Sequence, residues 1–572
     1  MSRLLAVGFA GVHAAVGTLA LAQTRADVRP DAGTLLDMQG PLPLQPPRSV
    51  PQLDLPQAQP TAPLAKSVRL RPAAFLFSGN TVFSSEALAA LLADRLNTTT
   101  DFAGLNDAVS AINAHYRQHG YLLTQAYLPE QAFSAEGGTV TIAIIEARAG
   151  RVSVQAEGAG VSRAFAEEVV NRQLQSGDAV TEYALNKPVL LLRDLAGYDA
   201  GATVQPGEHV GLADILVTVR SSGNRADGSL SLDNHGARAA GAVRATLAAN
   251  LNNLLGRGDV LALSAQQSDR SGTDLYRVAY TLPVGPFGTR LALTAAHLDY
   301  SLGKQFEALG ATGKADILGL TVSHPLVRGR TTNLYGLLGA EQKKLTDETA
   351  TPLLKSDRDL VSVRVGVVGN FGDNLGGASG LNSYAASATV GRLRLNAADQ
   401  ALDDGLGGLH TAGSFTKLNL EYQRSQFFGE AFSFQASVQA QLASKNLGSA
   451  EKMVLGGPNG VRGYPVGEGV GDAGVLLTLE SRYQLDPPVL GEPLSLLAFY
   501  DFGRVRFNQN GPTVPGNANT LSLGSFGIGA TLGRPGKFLV KTYLAWRTTP
   551  VQPSTGDPDR SPRAWLSAQT WF

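Results

Sequence analysis

The sequence predicts a membrane β-barrel of about sixteen antiparallel strands, preceded by two copies of a small α+β module. Three observations predict it. From residue 226 to 572, apolar and polar side chains alternate with period two over segments of about ten residues. Before that, residues 66–149 and 150–222 show the same succession of strand and helix signals. After residue 22 no run of about twenty apolar residues exists to make a membrane helix.

Taken in order, the chain starts with an export signal. Arg3 supplies the positive charge, residues 4–21 are apolar, and Ala20-Leu21-Ala22 is a small-x-small cleavage site before Gln23. An uncleaved anchor is the alternative; the glycine- and alanine-rich run favours removal of 1–22. Residues 23–65 read as a linker, because Pro41, Pro43, Pro46, Pro47, Pro51, Pro56, Pro60 and Pro63 exclude a helix or a central strand. Within it, residues 31–39 are compatible with a short helix.

In 66–149, the run holding Phe75 and Phe77 reads as a strand ending at Ser78-Gly79-Asn80. A helix capped at Ser84 or Ser85 carries Leu88, Leu91 and Leu92. A second carries Leu105, Val109, Ile112 and Tyr116 and stops at Gly120. Residues 122–128 and 139–145 follow as strands. In 150–222, Val152 and Val154 mark a strand, and Ser162 opens a helix with Phe165, Val169 and Leu174. A second helix carries Leu185, Leu190, Leu192 and Leu195, with Pro188 near its first turn. Residues 215–219 close the unit as a strand.

From 226 on, Phe432, Phe434, Ala436, Val438, Ala440 and Leu442 alternate with Ser433, Gln435, Ser437, Gln439 and Gln441. Val475, Leu477, Leu479 and Tyr483 alternate with Thr478, Glu480, Arg482 and Gln484. A soluble sandwich also alternates. The ten-residue length and the aromatics near segment ends favour a bilayer, in which strands must close so that no edge is left unpaired. At about twenty residues per strand and connection, this region gives about sixteen strands around a wet lumen.

Composition narrows the function. Forty-eight basic residues balance forty-eight acidic ones, which argues against nucleic acid as a partner. Absence of cysteine excludes thiolate metal sites and disulfide scaffolds. Asp501-Phe502-Gly503 matches a kinase metal triplet without the motifs that accompany it. His115 and His119 have ligand spacing but no third ligand in view. The glycine-rich 456–463 lacks a following Lys-Ser/Thr. No catalytic constellation emerges, so no enzyme activity, metal or cofactor is expected.

One constellation is informative. Arg462 lies in a glycine-rich loop, 456–474, between two alternating segments. Folded into the lumen, its charge would need a carboxylate partner. Asp501 lies on a nearby strand with Phe499 and Gly503 on the same side, and Gly503 leaves room for something to lie against the wall.

These residues carry a resemblance. Val461-Arg462-Gly463-Tyr464, after Leu455-Gly456-Gly457 and before Gly471-Asp472, closely resembles the signature loop of two-partner secretion (TpsB) transporters, the ShlB/FhaC/HecB family of the superfamily that includes BamA. Phe499-x-Asp501-x-Gly503 resembles its partner motif on the barrel wall. Leu232-Asp233-Asn234-His235-Gly236 with Leu255-Gly256-Arg257-Gly258-Asp259 resembles the family's barrel entrance, with His235 where tyrosine is frequent. Tyr116-x-x-x-Gly120-Tyr121-x-x-Thr124-x-Ala126-x-Leu128-Pro129-x-Gln131 resembles its first periplasmic module, and Trp571-Phe572 the aromatic end of outer-membrane barrels.

The resemblance implies that 66–149 and 150–222 are polypeptide-transport-associated (POTRA) modules in the periplasm. They would recognise the N-terminal secretion domain of a large unfolded exoprotein of adhesin, haemolysin or haemagglutinin type, which then crosses the outer membrane through the 226–572 barrel. Arg462 and Asp501 would form a salt bridge that holds the loop, and Phe572 would end the barrel's C-terminal signal. Outer-membrane lipids and the barrel-assembly machinery would be its other partners, and the chain would act as a monomer. The short helix would match the family's plug helix, although its length and Gly33 argue against an ordered plug. The competing readings are an insertase for other outer-membrane proteins and a solute porin.

Overall fold

The computed structural model describes residues 29–39, 53–54, 69–131, 138–223, 225–511 and 518–572. The expected signal peptide, 1–22, and most of the proline-rich linker lie outside the described residues.

In the first module, strand Pro72–Ser78 lies parallel to Gly138–Ile145, which pairs antiparallel with Gln125–Tyr127. Helix Phe102–Gln118 packs on this sheet. Asp101 caps it by accepting a hydrogen bond from the Gly104 amide, and its 3.6-residue stripe buries Leu105, Val109, Ile112 and Tyr116. The strand expected over 122–128 is only Gln125–Tyr127. The preceding residues are spent on the helix exit: Gly120 turns with φ +84°, and the Tyr121 amide returns to the Tyr116 carbonyl at 2.9 Å. His115 and His119 stand 4.4 Å apart, edge-on to Phe83.

The second module is a four-stranded sheet in the order Leu53–Asp54, Tyr198–Pro206, Leu212–Ser221, Arg148–Glu157. Two corrections arise here. Sequence reading misses Tyr198–Pro206, because its buried face is Tyr198, Ala200, Ala202 and Val204, period two but mostly small. Pro188 is the seventh residue of helix Glu182–Arg193, well past its first turn. The helix continues through it because Leu185, Val189 and Leu192 are fully buried against the sheet. That packing outweighs the lost backbone hydrogen bond.

Sixteen antiparallel strands, from Ala226–Asp233 to Arg563–Trp571, close into a barrel. Its outer face is apolar: on strand Leu353–Asp373, Val361, Val363 and Val365 are 45, 47 and 57% exposed, while the intervening Ser362 is buried on the lumen side. No helix among the described residues is long and apolar enough to cross a membrane. The seam between the first and last strands has five residue pairs, Asp233↔Ser567 to Ser229↔Trp571, against nineteen between Thr332–Ala350 and Leu353–Asp373. Beyond the seam, Phe572 and Gly228 exchange backbone hydrogen bonds of 2.9 and 3.0 Å. The Phe572 ring covers Gly228 so closely that a Cβ there would meet it at 2.5 Å.

The second module is seated on the barrel's short turns. The Arg328 fork donates two 2.7 Å hydrogen bonds to Asp194 at the end of helix Glu182–Arg193. The Tyr198 hydroxyl donates to the Gly256 carbonyl at 2.7 Å, and the Asn253 amide to Gly160 at 2.6 Å. The module therefore marks one end of the barrel. At the other end, by the hairpin between Ala350 and Leu353, the lumen holds helix Ala32–Asp37.

Candidate functional site: the inward loop and the far mouth

Between strands Phe432–Ala443 and Ala473–Val489, the chain leaves the wall for residues 444–472 and folds into the lumen. The excursion is longer than the expected 456–474. Its extra leading part holds no glycine run to mark it. It is anchored by Glu451, which is buried between Lys343 and Lys417 at 2.8 Å each. A two-residue ladder, Met453–Val454 with Val470–Gly471, closes the base of the loop.

The tip carries Val461, Arg462, Gly463 and Tyr464. Arg462 is 4% exposed and Asp501 fully buried. Its backbone amide and Nε donate to Asp501 Oδ2 at 3.1 and 2.9 Å, and Nη2 donates to Oδ1 at 2.8 Å. Nη1 donates to Glu480 at 3.0 Å, and Glu480 in turn accepts from Arg482. Two cations thus face two carboxylates, which offsets the desolvation that an isolated buried charge would suffer. Burial acts to lower the Arg462 pKa, and the two carboxylates reverse this and hold it above its ordinary value.

The remaining motif residues shape this contact. Phe499 lies under the guanidinium, 3.3 Å from ring centroid to Cζ. Val461 and Leu455 press against Gly503, where a Cβ would meet Leu455 at 2.8 Å. Gly463 passes so close to the wall that a Cβ would meet the Ser525 side chain at 2.7 Å. Tyr464 is buried and donates to the Thr549 carbonyl at 2.8 Å.

Four participants escape sequence reading. Glu480 is visible only as one of a lumen-facing polar set. Ser525 donates to Asp501 at 3.1 Å, Trp565 donates to the Arg462 carbonyl at 2.8 Å, and Ser554 donates to Glu468 through its amide and hydroxyl. All lie far away in sequence, and no local pattern distinguishes them from other wall residues.

The second part of the site is the short helix. The expectation that Gly33 argues against order is corrected: Gly33 is what lets the helix dock. A Cβ there would lie 2.4 Å from Ser449 Oγ and 2.6 Å from the Ala450 backbone nitrogen. The helix therefore rests directly on the leading part of the inward segment. Asp31 caps it and pairs with Arg358 at 2.8 Å; burial acts to raise the Asp31 pKa, but Arg358 and the cap hydrogen bond hold it at about 2. The Ala32 amide donates to Asp347 at 2.9 Å, and Gln39 accepts from Arg244 and Gln266 at 3.0 and 2.8 Å. Leu35 and Leu36 are buried against Leu298, Tyr300 and Leu345 of the wall.

Comparisons with known proteins agree with this architecture. Residues 211–532 match the family model "Haemolysin secretion/activation protein ShlB/FhaC/HecB", and 72–147 match "POTRA domain, ShlB-type". The heme/hemopexin transporter protein HuxB of Haemophilus influenzae is 27% identical over 485 residues, 84% of this chain and 83% of that protein. The outer membrane transporter CdiB of Dickeya dadantii is 23% identical over 440 residues, 75% of each chain. Among solved structures, CdiB from Escherichia coli superposes with a TM-score of 0.68 at 21% identity, covering 92% of this chain and 94% of its own. CdiB from Acinetobacter baumannii gives 0.59 at 16% identity, covering 91 and 95%. The matched family model spans more than half of the sequence, and the chain belongs to the ShlB/FhaC/HecB family of haemolysin secretion/activation proteins, outer-membrane barrels with periplasmic POTRA modules.

Proposed function

We propose that the chain captures an unfolded exoprotein in the periplasm through two POTRA modules, 66–149 and 150–222, and passes it through the lumen of the 226–572 barrel to the cell exterior. Residues 1–22 direct it out of the cytoplasm and are removed. The client is a large secreted protein with an N-terminal secretion domain. Its drive is its own folding outside, since the periplasm supplies no nucleotide. The chain works as a monomer, surrounded by outer-membrane lipids and inserted by the barrel-assembly machinery.

One observation carries this reading: a folded module seated on the barrel's short turns through Arg328–Asp194, at the end opposite the Ala32–Asp37 helix. A solute porin has no use for such a module. An extended polypeptide has, because it must be held next to the entrance before it can thread. In this scheme Arg462 and Asp501 hold the inward loop and keep the lumen in a competent shape, while the Ala32–Asp37 helix closes the far mouth at rest. Deleting residues 66–222 tests the reading. Solute flux through the inserted barrel should persist while exoprotein disappears from the medium. Undiminished export from the deletion would refute it.

A further inference from the structure

We infer that the Tyr198–Pro206 edge of the second module is a dock for an extended segment of the secreted polypeptide, occupied at rest by the chain's own residues 53–54. The inference rests on the export reading above.

Tyr198–Pro206 is nine residues long and pairs along its whole length with Leu212–Ser221 on one side. On the other side, among the described residues, only Ala202 and Thr203 have strand partners, Leu53 and Asp54, in parallel register. Most of the outer edge thus presents free amides and carbonyls, the feature to which an extended chain adds as a new strand. One face of this strand is fixed in the module core through Ala200, Ala202 and Val204. The other is open: a Cβ built on Gly201 would meet nothing within 4 Å. A client side chain therefore finds room beside the edge, and main-chain hydrogen bonds supply affinity that is tolerant of client sequence.

The resident segment is built to yield. Pro51 and Pro56 bracket the paired dipeptide, and proline has no amide to donate, so the ladder cannot lengthen in either direction. A client segment of alternating polar and apolar residues without proline can pair along all nine positions. It exchanges a two-residue ladder for a longer one, and at rest the placeholder guards the edge against unrelated strands.

The chain has no cysteine, so Asp54→Cys with Thr203→Cys makes a single possible disulfide at a paired position. The probe is a fluorescent nine-residue peptide of alternating threonine and valine, added to the purified full chain in detergent; export is followed separately in cells. The oxidised variant should neither bind the peptide nor export, and reduction should restore both. Leu53→Pro, which removes the placeholder's pairing, should bind the peptide at least about fivefold more tightly than wild type, because the competent edge is no longer shared. Equal binding by oxidised and reduced protein, or no tightening in Leu53→Pro, overturns the dock. Peptide binding that behaves as expected in a chain that exports nothing leaves the dock standing and refutes the export reading instead.

Discussion

Arg462 and Asp501 meet as a two-pronged ion pair, Nε to Oδ2 at 2.9 Å and Nη2 to Oδ1 at 2.8 Å, across thirty-nine positions of chain. One belongs to a loop tip and the other to the wall, so the pair decides where the loop lies. The backbone amide of Arg462 reinforces the placement by donating to the same carboxylate.

Breaking this pair by removing one partner leaves an uncompensated buried charge, at a cost of about 3–5 kcal/mol. Arg462→Ala and Asp501→Ala should each reduce exoprotein in the medium strongly, while the barrel still inserts and keeps its heat-modifiable migration on gels. Arg462→Lys should rescue little, since one ammonium cannot serve Asp501 and Glu480 in the fork geometry that guanidinium provides. Wild-type secretion from either alanine variant would remove the loop from the export mechanism.

How far this site could be read in advance follows from range. The strands were legible because each carries its own alternation, and the loop tip because its glycines and its resemblance mark it. Glu480, Ser525 and Trp565 were not, because their roles exist only once distant strands lie side by side. Tyr198–Pro206 was hidden by its small side chains. Gly33 was legible but misread: the helix gains more from touching Ser449 and Ala450 than glycine loses in helix propensity, about 1 kcal/mol.

The seat of the second module makes a separate prediction. Arg328 is 2% exposed and Asp194 is its carboxylate partner. Asp194→Ala leaves the guanidinium buried, with only the Asn333 side chain and the Gly329 carbonyl to accept from it. Amide exchange in helix Glu182–Arg193 and in the turn 253–258 should quicken, and export should fall by at least about tenfold if the lost contact is worth the usual 2–5 kcal/mol. Unchanged exchange in these segments would show that the remaining turn contacts suffice.

Gly33 tests the far mouth. In Gly33→Val the added carbons meet the Ala450 backbone, which cannot swing aside as a side chain can. The helix should leave its seat, raising single-channel conductance in planar bilayers and sensitivity of cells to large antibiotics, with export retained. Ser449→Gly alone should not rescue it, because the backbone contact at 2.6 Å remains. Wild-type conductance in Gly33→Val would mean that the helix does not close the mouth.

His235 makes that closure dependent on pH. It follows strand Ala226–Asp233, stands edge-on to Trp565 at 5.9 Å, and lines a small cavity with Leu35, Met38 and Gln39. Its Nε2 is buried without a hydrogen-bond partner. Burial pushes the imidazole down to about 4, with Asp233 opposing the shift and Arg244 and Lys541 adding to it. Because the folded pKa lies below that of the unfolded chain, the stabilisation is complete above about pH 6.5 and is lost as pH falls towards about 4. Protonation sets an imidazolium beside Asp233, which already binds Arg244 at 2.8 Å, and Arg244 in turn holds Gln39. Competition for that carboxylate loosens the end of the helix, so conductance should rise between pH 6.5 and 4.5 in the wild type. His235→Tyr has no group that titrates there and should give a flat profile. A rise that persists in the tyrosine variant would place the sensor elsewhere, whereas a flat wild-type profile would show that protonation of His235 does not reach the helix.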